Sequence, residues 1–397
     1  YSDNRHPDHV TFSEKIEDDL KRRDFTINSL ALNVSEDTIK DTIDLFGGLK
    51  DIKDKLIKTV GNPDDRFTED SLRMMRAIRL SVELDFKIDT DTLNSIKKLN
   101  KSIKLIAIER VRDEFIKIIM SDRPKLGIEM LYSTGLLQHI VPELIKTIGV
   151  TQNQAHAYNV WEHLLFSLQH AADKKWPLEI RLSALFHDIS KPQKKGLSRE
   201  TGIITFYGHE LAGSRETQKI LERLKFSRVT IDKIAKLVRW HMFFSDTEMI
   251  TLSAVRRMIV NVGRENIWDL MNLRVCDRVG TGRPKENPYR LRKYKAMIEE
   301  ALRDPISVSM LKIDGNTLMS KYNLKPGPII GNILNALMEE VLEDPKLNNE
   351  EYLFSRVNKL ISLSDSELRK LADRGKEKRN ELEENEIKDI RNKHHVD

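Results

Sequence analysis

Three groups of side chains in this sequence have types and spacings that can do chemistry. The first is Arg66-Phe-Thr-Glu-Asp-Ser-Leu-Arg-Met-Met-Arg-Ala-Ile-Arg-Leu80. Asp70, Arg73 and Arg76 stand three apart, so on a helix they sweep roughly a third of the circumference and can face one ligand together. Arg79 lies further round the same spiral. A carboxylate offers acceptors and a guanidinium a rigid fork of donors. Side by side they can read the edge of a base, while further arginines meet phosphate. A solvated helix face has the same pattern, because Glu69 and Arg73 are an i,i+4 pair and acids in a first turn suit the helix dipole. The second group is Lys21-Arg22-Arg23, followed by Asp24 and Asn28. Arginine binds phosphate bidentately and aspartate accepts from hydroxyls, so this cluster can hold a triphosphate and a ribose; a surface patch has the same composition. The third is His163, His187-Asp188, His209, His241 and Asp277. Imidazole and carboxylate ligate divalent first-row metals, and the neighbours His187 and Asp188 can serve adjacent coordination positions. Taken singly, each histidine also fits an ordinary polar or core position.

The elements that must carry these groups are mostly helical. Thr68 reads as an N-cap with Glu69 and Asp70 in the first turn, and Leu72, Met75, Ile78 and Val82 form the apolar side. Strand material is confined to residues 8–48: Val10-Thr-Phe12, Phe25-Thr-Ile27, and Ile43-Asp-Leu-Phe46 ending at Gly47-Gly48. From Leu49 to about Asp122 the pattern is helical, with apolar residues at 111, 115, 118 and 119. A further helix runs from Lys125 to Tyr132, and the polar stretch 143–158 reads as a domain boundary. Trp161-Glu-His163 lies on a helix, and His187-Asp188 ends the next apolar one. Arg283-Pro284 and Asn287-Pro288 then break the chain. Beyond them, Arg290, Arg292, Lys293 and Lys295 with Tyr289 and Tyr294 suit either an RNA backbone with a stacked base or a solvated face. Pro326-Gly-Pro turns into an amphipathic helix from Ile329 to Leu342, whose N-terminus can meet a phosphate. Residues 365–397 read as a solvated helix or frayed tail.

A chain of 397 residues with 39% hydrophobic and 32% charged residues fits two to four helix-rich globular domains, not disorder. Net charge is +5, which permits an acidic partner such as RNA without demanding one. The single cysteine, Cys276, excludes an internal disulfide framework and points to a reducing compartment, the cytoplasm. No apolar run reaches spanning length, so no membrane is expected. The chain opens without Met in a polar stretch, Tyr1 to Pro7, that reads as the interior of a loop and suggests a fragment.

Leu20-Lys-Arg-Arg-Asp-Phe-Thr-Ile-Asn28, Asp44-Leu-Phe-Gly-Gly48 and the Arg66–Arg79 run, in this order and tight spacing, resemble the class II tRNA nucleotidyltransferases, the CCA-adding enzymes and their poly(A) polymerase relatives. The resemblance implies that Arg22, Arg23, Asp24 and Asn28 contact ribose and phosphates, and that Asp44 couples head to neck. It implies that Asp70 and Arg73 template CTP or ATP through the base edge, with Arg76 and Arg79 as further nucleotide-binding residues. Glu69 is expected to orient Arg73. In that family a Gly-Ser motif and two carboxylates, one residue apart, hold Mg²⁺ at the polymerising centre. Asp18-Asp19 are adjacent and would point to opposite faces of a strand. No catalytic residue for polymerisation is therefore expected in this chain, with the Mg²⁺ ligands upstream of it.

The ordered set His163, His187-Asp188 and Asp277, with Lys191-Pro192 after the pair, resembles the HD superfamily of metal-dependent phosphohydrolases; His209 and His241 resemble the extra ligands of its two-metal members. This implies a bound divalent metal (Mn, Ni, Fe or Mg) and permits hydrolysis of 2′,3′-cyclic or 2′-phosphates. A purely structural cluster is the other reading. Residues 313–334 resemble the tail shared by HD-containing CCA enzymes. The expected fold is mainly α: a truncated α/β nucleotidyltransferase head (1–56), helical neck (57–145), helical HD domain (159–280), helical tail (281–363) and charged tail (364–397). The expected function is CCA addition to tRNA 3′ ends from CTP and ATP, with tRNA and not DNA as partner. The alternatives are an A-adding or poly(A)-polymerising relative, an HD phosphohydrolase with residues 1–145 as RNA-binding platform, and a catalytically silent RNA-binding fragment.

Overall fold

Apolar residues at helical spacing give most of this chain one face to bury, and a computed structural model shows what each face packs against. It describes residues 15–35, 38–152, 157–198, 203–242, 250–283, 285–364, 366–368 and 370–371. The expected Val10–Phe12 strand, the Tyr1–Pro7 loop and most of the 365–397 tail lie outside these residues. The fold is mainly α, as the sequence predicts. The chain forms two compact units: residues 1–196, 204–241 and 272–284 in the first, 197–203, 242–271 and 285–397 in the second.

The first unit begins with the short helix Ile16–Lys21 and a 3₁₀ turn, Thr26–Asn28. A hairpin follows, Leu30–Ser35 antiparallel to Thr38–Asp44, with a bulge at Asn33/Val34. The strand expected at Phe25–Ile27 is reduced to one bridge between Phe25 and Thr59. Local bonds curl this segment instead, Asn28 N to the Phe25 carbonyl and Ser29 N to the Thr26 carbonyl, and the buried Thr26 hydroxyl donates to the distant, buried Asp51 at 2.6 Å. The Leu30–Ser35 strand escapes the sequence pattern because Ala and Asn are weak strand formers, and pairing with the partner strand decides it. The second strand stops at Asp44, whose carboxylate accepts from Gly48 N (2.8 Å) and Leu49 N (3.0 Å). Gly47 takes the left-handed φ of +76° that this turn needs, and a Cβ on Gly48 would collide with the Thr26 carbonyl.

The predicted arginine helix is two helices, Pro63–Glu69 and Arg73–Leu84. Asn62, not Thr68, caps the first, accepting from Asp64 N. Thr68 sits in that helix's last turn, its hydroxyl donating to the Asp64 carbonyl. Asp70 is extended (φ −147°, ψ 101°), and its side chain accepts from Leu72 N, a local bond that competes with helix continuation. The Arg73–Leu84 helix buries Met74, Met75, Ala77, Ile78 and Val82, and packs on Ile108–Met120 and Pro124–Ser133. Val111, Phe115, Ile118 and Ile119 are buried, as their spacing predicts. A two-residue parallel pair, Leu56–Ile57 with Lys87–Ile88, interrupts the stretch expected to be wholly helical.

Four further helices of this unit, Val160–Asp173, Leu178–Phe186, His209–Arg223 and Arg228–Trp240, carry or flank the histidines. Asn159 and Glu162 form a capping box at the start of the first. One apolar core runs from Phe25 and Ile57 through Phe67, Ile78 and Phe115 to Leu164, Leu185 and Val238. The stretches expected as head and neck and most of the HD stretch thus share this core.

In the second unit Leu252–Val262 packs on Tyr289–Ala301 and on Pro328–Glu343, which also contacts Glu350–Leu360. Buried Arg256 ties them, donating to Asp304 (2.8 Å) and the Leu342 carbonyl (2.9 Å). Tyr294, paired with Tyr289 in the sequence reading as a stacking residue, is in the core with its hydroxyl on Met258 Sδ at 3.2 Å; Tyr289 is exposed.

Candidate functional site

Two sequence motifs some fifty residues apart meet in one cleft. Arg73 reaches back from the head of its helix, donating to the Arg22 carbonyl at 3.2 Å and to the Glu69 carboxylate at 2.7 Å. Arg76, one turn on, pairs with the nearly buried Asp24 at 2.6 Å. Asp24 also accepts from Phe25 N at 3.0 Å and from Asn28 Nδ2 at 3.4 Å, so a single carboxylate sets the turn that presents Asn28. Arg22 and Arg23 share Asp19, and together they hold its carboxyl below the usual range. The resulting cleft, about 510 Å³, is lined by Arg22, Arg23, Asp24, Asn28, Asp70, Arg73 and Arg76. Four guanidiniums face two carboxylates there, which suits a polyanion that also carries hydroxyl or amino donors.

The histidines and aspartates form a second centre, buried almost completely. His187 follows the last residue of an apolar helix and His241 that of an amphipathic one, and His209 opens a helix after Gly208, whose φ is +72°. Their Nδ1 atoms lie 2.9, 2.7 and 2.7 Å from the carbonyls of Ala184, Val238 and Phe206. A carbonyl only accepts, so Nδ1 carries the proton and Nε2 faces inward, as second-shell bonds orient metal-ligating histidines. Two groups result, each with donor atoms within 4.8 Å of one another: His163, His187 and Asp277, and Asp188, His209 and His241.

Asp188 joins these groups. One carboxylate oxygen is 3.2 Å from His163 Nε2, and the other is 3.2 Å from His209 Nε2. His163 Nε2 and His187 Nε2 are 2.8 Å apart, a separation two nitrogens sustain only by sharing a proton or a metal ion. Among the described residues, the buried Nε2 atoms of His209 and His241 have no hydrogen-bonding partner beyond the Asp188 carboxylate, 3.2 and 3.6 Å away. The donor set therefore fits divalent cations. Burial pushes the His187 imidazole down, but the Asp188 and Asp277 carboxylates outweigh it and raise it to about 9. Burial also opposes ionisation of both aspartates, yet Lys191 and His187 hold Asp188, and Arg274 and His187 hold Asp277, well below the usual carboxylate range.

Comparison with known proteins places these geometries. A poly(A) polymerase head-domain profile matches residues 1–58, one described as an RNA and SrmB-binding site of polymerase A matches 85–147, and a tRNA nucleotidyltransferase domain 2 profile matches 197–357. The chain is 32% identical over 365 residues to a CCA-adding enzyme of Ligilactobacillus salivarius, covering 91% of this chain and 76% of that one. It is 31% identical over 342 residues to an A-adding tRNA nucleotidyltransferase of Deinococcus radiodurans, covering 84% and 76%. The chain belongs to the tRNA nucleotidyltransferase family of the CCA-adding enzymes. A CC-adding member from Thermus thermophilus is 30% identical over 355 residues, covering 87% and 77%. In fold the chain is similar to the Bacillus stearothermophilus CCA-adding enzyme solved with CTP, at a TM-score of 0.62 and 23% identity over 88% of this chain and 76% of that one.

Of the residues predicted to bind nucleotide, Arg23, Asp24, Asn28, Asp70, Arg73 and Arg76 line the cleft of this nucleotidyltransferase, and Arg79 does not. Arg79 turns to the neighbouring helix and pairs with buried Glu114 at 3.0 Å. The step of three that aligned Arg73 and Arg76 carries Arg79 past the cleft edge. Asp70 does not pair with Arg73. Its partner is Arg110, at 2.8 Å, from the Ile108–Met120 helix. Glu69 binds both Arg66 and Arg73. Sequence reading missed Arg110, since forty positions separate it from Asp70; its only local signal was a charge at the start of an amphipathic helix. All six predicted metal-ligand residues come together.

Proposed function

We propose that this protein is a CCA-adding tRNA nucleotidyltransferase, which extends tRNA 3′ ends with CTP and ATP. The observation that carries this reading is the cleft that joins Arg22, Arg23, Asp24 and Asn28 to Asp70, Arg73 and Arg76. Arg22, Arg23 and Arg76 would hold the triphosphate, and Asn28 with Asp24 the ribose. Asp70 would accept a hydrogen bond from the exocyclic amine that cytosine and adenine both carry. Uracil and guanine put a carbonyl there, which a carboxylate repels. Arg73, steadied by Glu69, would donate to the ring acceptor beside it. Mg²⁺ would supply charge stabilisation to the attacking hydroxyl and leaving pyrophosphate. The 57–145 and 281–363 segments would contact tRNA largely through shape and phosphates, in a reducing cytoplasm.

The test is labelled-nucleotide incorporation by the full-length protein on tRNA lacking its 3′ end. CTP and then ATP should be added, and Asp70→Ala should narrow the preference for CTP over UTP by about 1–3 kcal/mol, roughly 5- to 150-fold. Incorporation of A alone, or of CC alone, would move the protein to the A-adding or CC-adding members.

A second activity is favoured by the two histidine–aspartate groups. His163, His187, Asp188, His209, His241 and Asp277 would hold divalent metal, which when bound polarises a phosphoryl oxygen and activates water. The three Nδ1–H bonds to carbonyls keep the imidazoles aimed inward, and Lys191, 2.6 Å from Asp188, would balance its charge. The proposed substrates are 2′,3′-cyclic or 2′-phosphates of RNA ends. Purified protein with Mn²⁺, Ni²⁺ or Mg²⁺ that leaves them intact would remove this reading without touching the first.

A further inference from the structure

The two carboxylates of the histidine–aspartate centre are held in different ways. Asp188 turns both oxygens to imidazoles. Its Oδ1 is 3.2 Å from His209 Nε2 and 3.6 Å from His241 Nε2, and its Oδ2 is 3.2 Å from His163 Nε2 and 3.4 Å from His187 Nε2. Asp277 turns only one. Oδ1 lies 3.4 Å from His163 Nε2 and 3.8 Å from His187 Nε2, while Oδ2 is bound by the guanidinium of Arg274, three residues earlier on the Ile267–Gly280 helix. Asp277 is 10% exposed and Arg274 31%, so the cation approaches the carboxylate from its outer side.

We propose that Arg274 is a positioning residue that confines Asp277 to single-oxygen ligation and thereby makes the two halves of the centre unequal. The inference rests on the metal-binding reading above. A carboxylate free at both oxygens can rotate or chelate through both, and a divalent ion accepts either mode. The Arg274 guanidinium, held one turn earlier on the same helix, donates from Nη1 to Oδ2 and keeps that oxygen turned outward, so Oδ1 stays aimed at the imidazoles. Asp188 is held differently: its cationic partner is Lys191, a point charge that can leave the carboxylate when a metal ion arrives. The His163–His187–Asp277 group is thus predicted to depend on Arg274, and the Asp188–His209–His241 group is not.

The test is Mn²⁺ titration of chelator-treated, full-length protein, followed by calorimetry and by the paramagnetic signal of free Mn²⁺. Beside any ion at the polymerising centre, which the upstream carboxylates would hold, wild type should bind Mn²⁺ in two classes of site. Arg274→Ala should weaken one class about 10- to 100-fold, the usual loss when a ligand's outer partner is removed, and leave the other unchanged. Asp277→Asn should weaken the same class, and Arg274→Lys should recover only part of the loss. A residue that merely supports the fold would move both classes together, and far-UV circular dichroism of each variant checks for that. Arg274→Ala binding with the wild-type isotherm, or losing both classes equally, overturns the inference while the metal-binding reading stands. Wild type that binds no Mn²⁺ overturns both.

Discussion

Removing the guanidinium of Arg110 while keeping its stem, as in Arg110→Met, isolates the support of Asp70 from Asp70 itself. The ion pair spans 2.8 Å, with the Arg110 side chain 31% exposed and Asp70 25%. A pair this open to solvent contributes little to folding, so the variant should lose no more than about 1 kcal/mol of stability. Asp70 would keep only the Leu72 N–H, at 3.1 Å, and its extended backbone has no helix around it to limit the side chain. The arginines that line the same cleft would then compete for the carboxylate, drawing it off the position from which it can read a base amine. A misplacement of about 1 Å can cost on the order of 10²-fold. The expected fall in kcat/KM for CTP and ATP is therefore about 10- to 100-fold, or about 1.4–2.7 kcal/mol, larger than the effect on folding. Preference over UTP should shrink with it, because a displaced acceptor selects less. The assay is steady-state incorporation by full-length enzyme on tRNA lacking its 3′ end, beside a thermal melt. Values of kcat/KM within twofold of wild type, with an unchanged CTP-to-UTP ratio, would refute the reasoning.

Gly280→Ala should loosen the metal centre from behind, since its Cβ would strike Ser167 Oγ and come within 2.8 Å of the His163 carbonyl. Overpacking of this kind costs about 1–3 kcal/mol, read by thermal melting, with reduced Mn²⁺ bound per chain. Glu143 gives a pH dependence. Burial pushes its carboxyl up, but the Arg223 guanidinium outweighs this and holds it below its ordinary 4.5. A depressed carboxylate stabilises the fold above about pH 4.5, and that contribution is lost as pH falls through its lower folded value. Glu143→Gln should therefore melt lower than wild type at pH 7, with the gap closing in a melting series below pH 4. A gap that does not narrow as pH falls below the ordinary carboxylate range would contradict the assignment.

Much of both sites was legible in the sequence, for different reasons. The sequence pattern placed His163 on a helix and His187-Asp188 at a helix end; His209, His241 and Asp277 were legible only as ligand types, and the structure sets them at or within a turn of helix ends, where packing brings all six together. Asp24, Arg73 and Arg76 were legible as types but not as partners. The Asp24–Arg76 pair joins segments 52 positions apart, and local spacing carries no information about that separation. The break at Asp70 was hidden for a related reason. Nothing between Arg66 and Leu80 is a Gly or Pro, so propensity alone continues the helix. A bond from an aspartate to a backbone N–H two residues on, with Arg110 holding the far oxygen, tips the choice. Arg79 failed in the opposite sense: its spacing fitted, but buried Glu114 offered a better-matched partner than the cleft.

One element connects the two centres within the first unit. The Ile108–Met120 helix presents Arg110 to Asp70 near its start, and packs on both the arginine helix and Leu178–Phe186, which delivers His187 and Asp188. At its other end buried Arg181 donates to the carbonyls of Ile119 and Ser121 and to that of Trp176. Those carbonyls are left over where a helix stops, and burying them unpaired would cost about 1–3 kcal/mol each. A guanidinium satisfies all three at once and fixes the helix end against the one that leads to the histidines. Because the core between them is close-packed, the helix cannot shift at one end without disturbing the other. The arginine cleft and the metal centre are therefore built on one rigid element, so a variant at either end should be assayed at both.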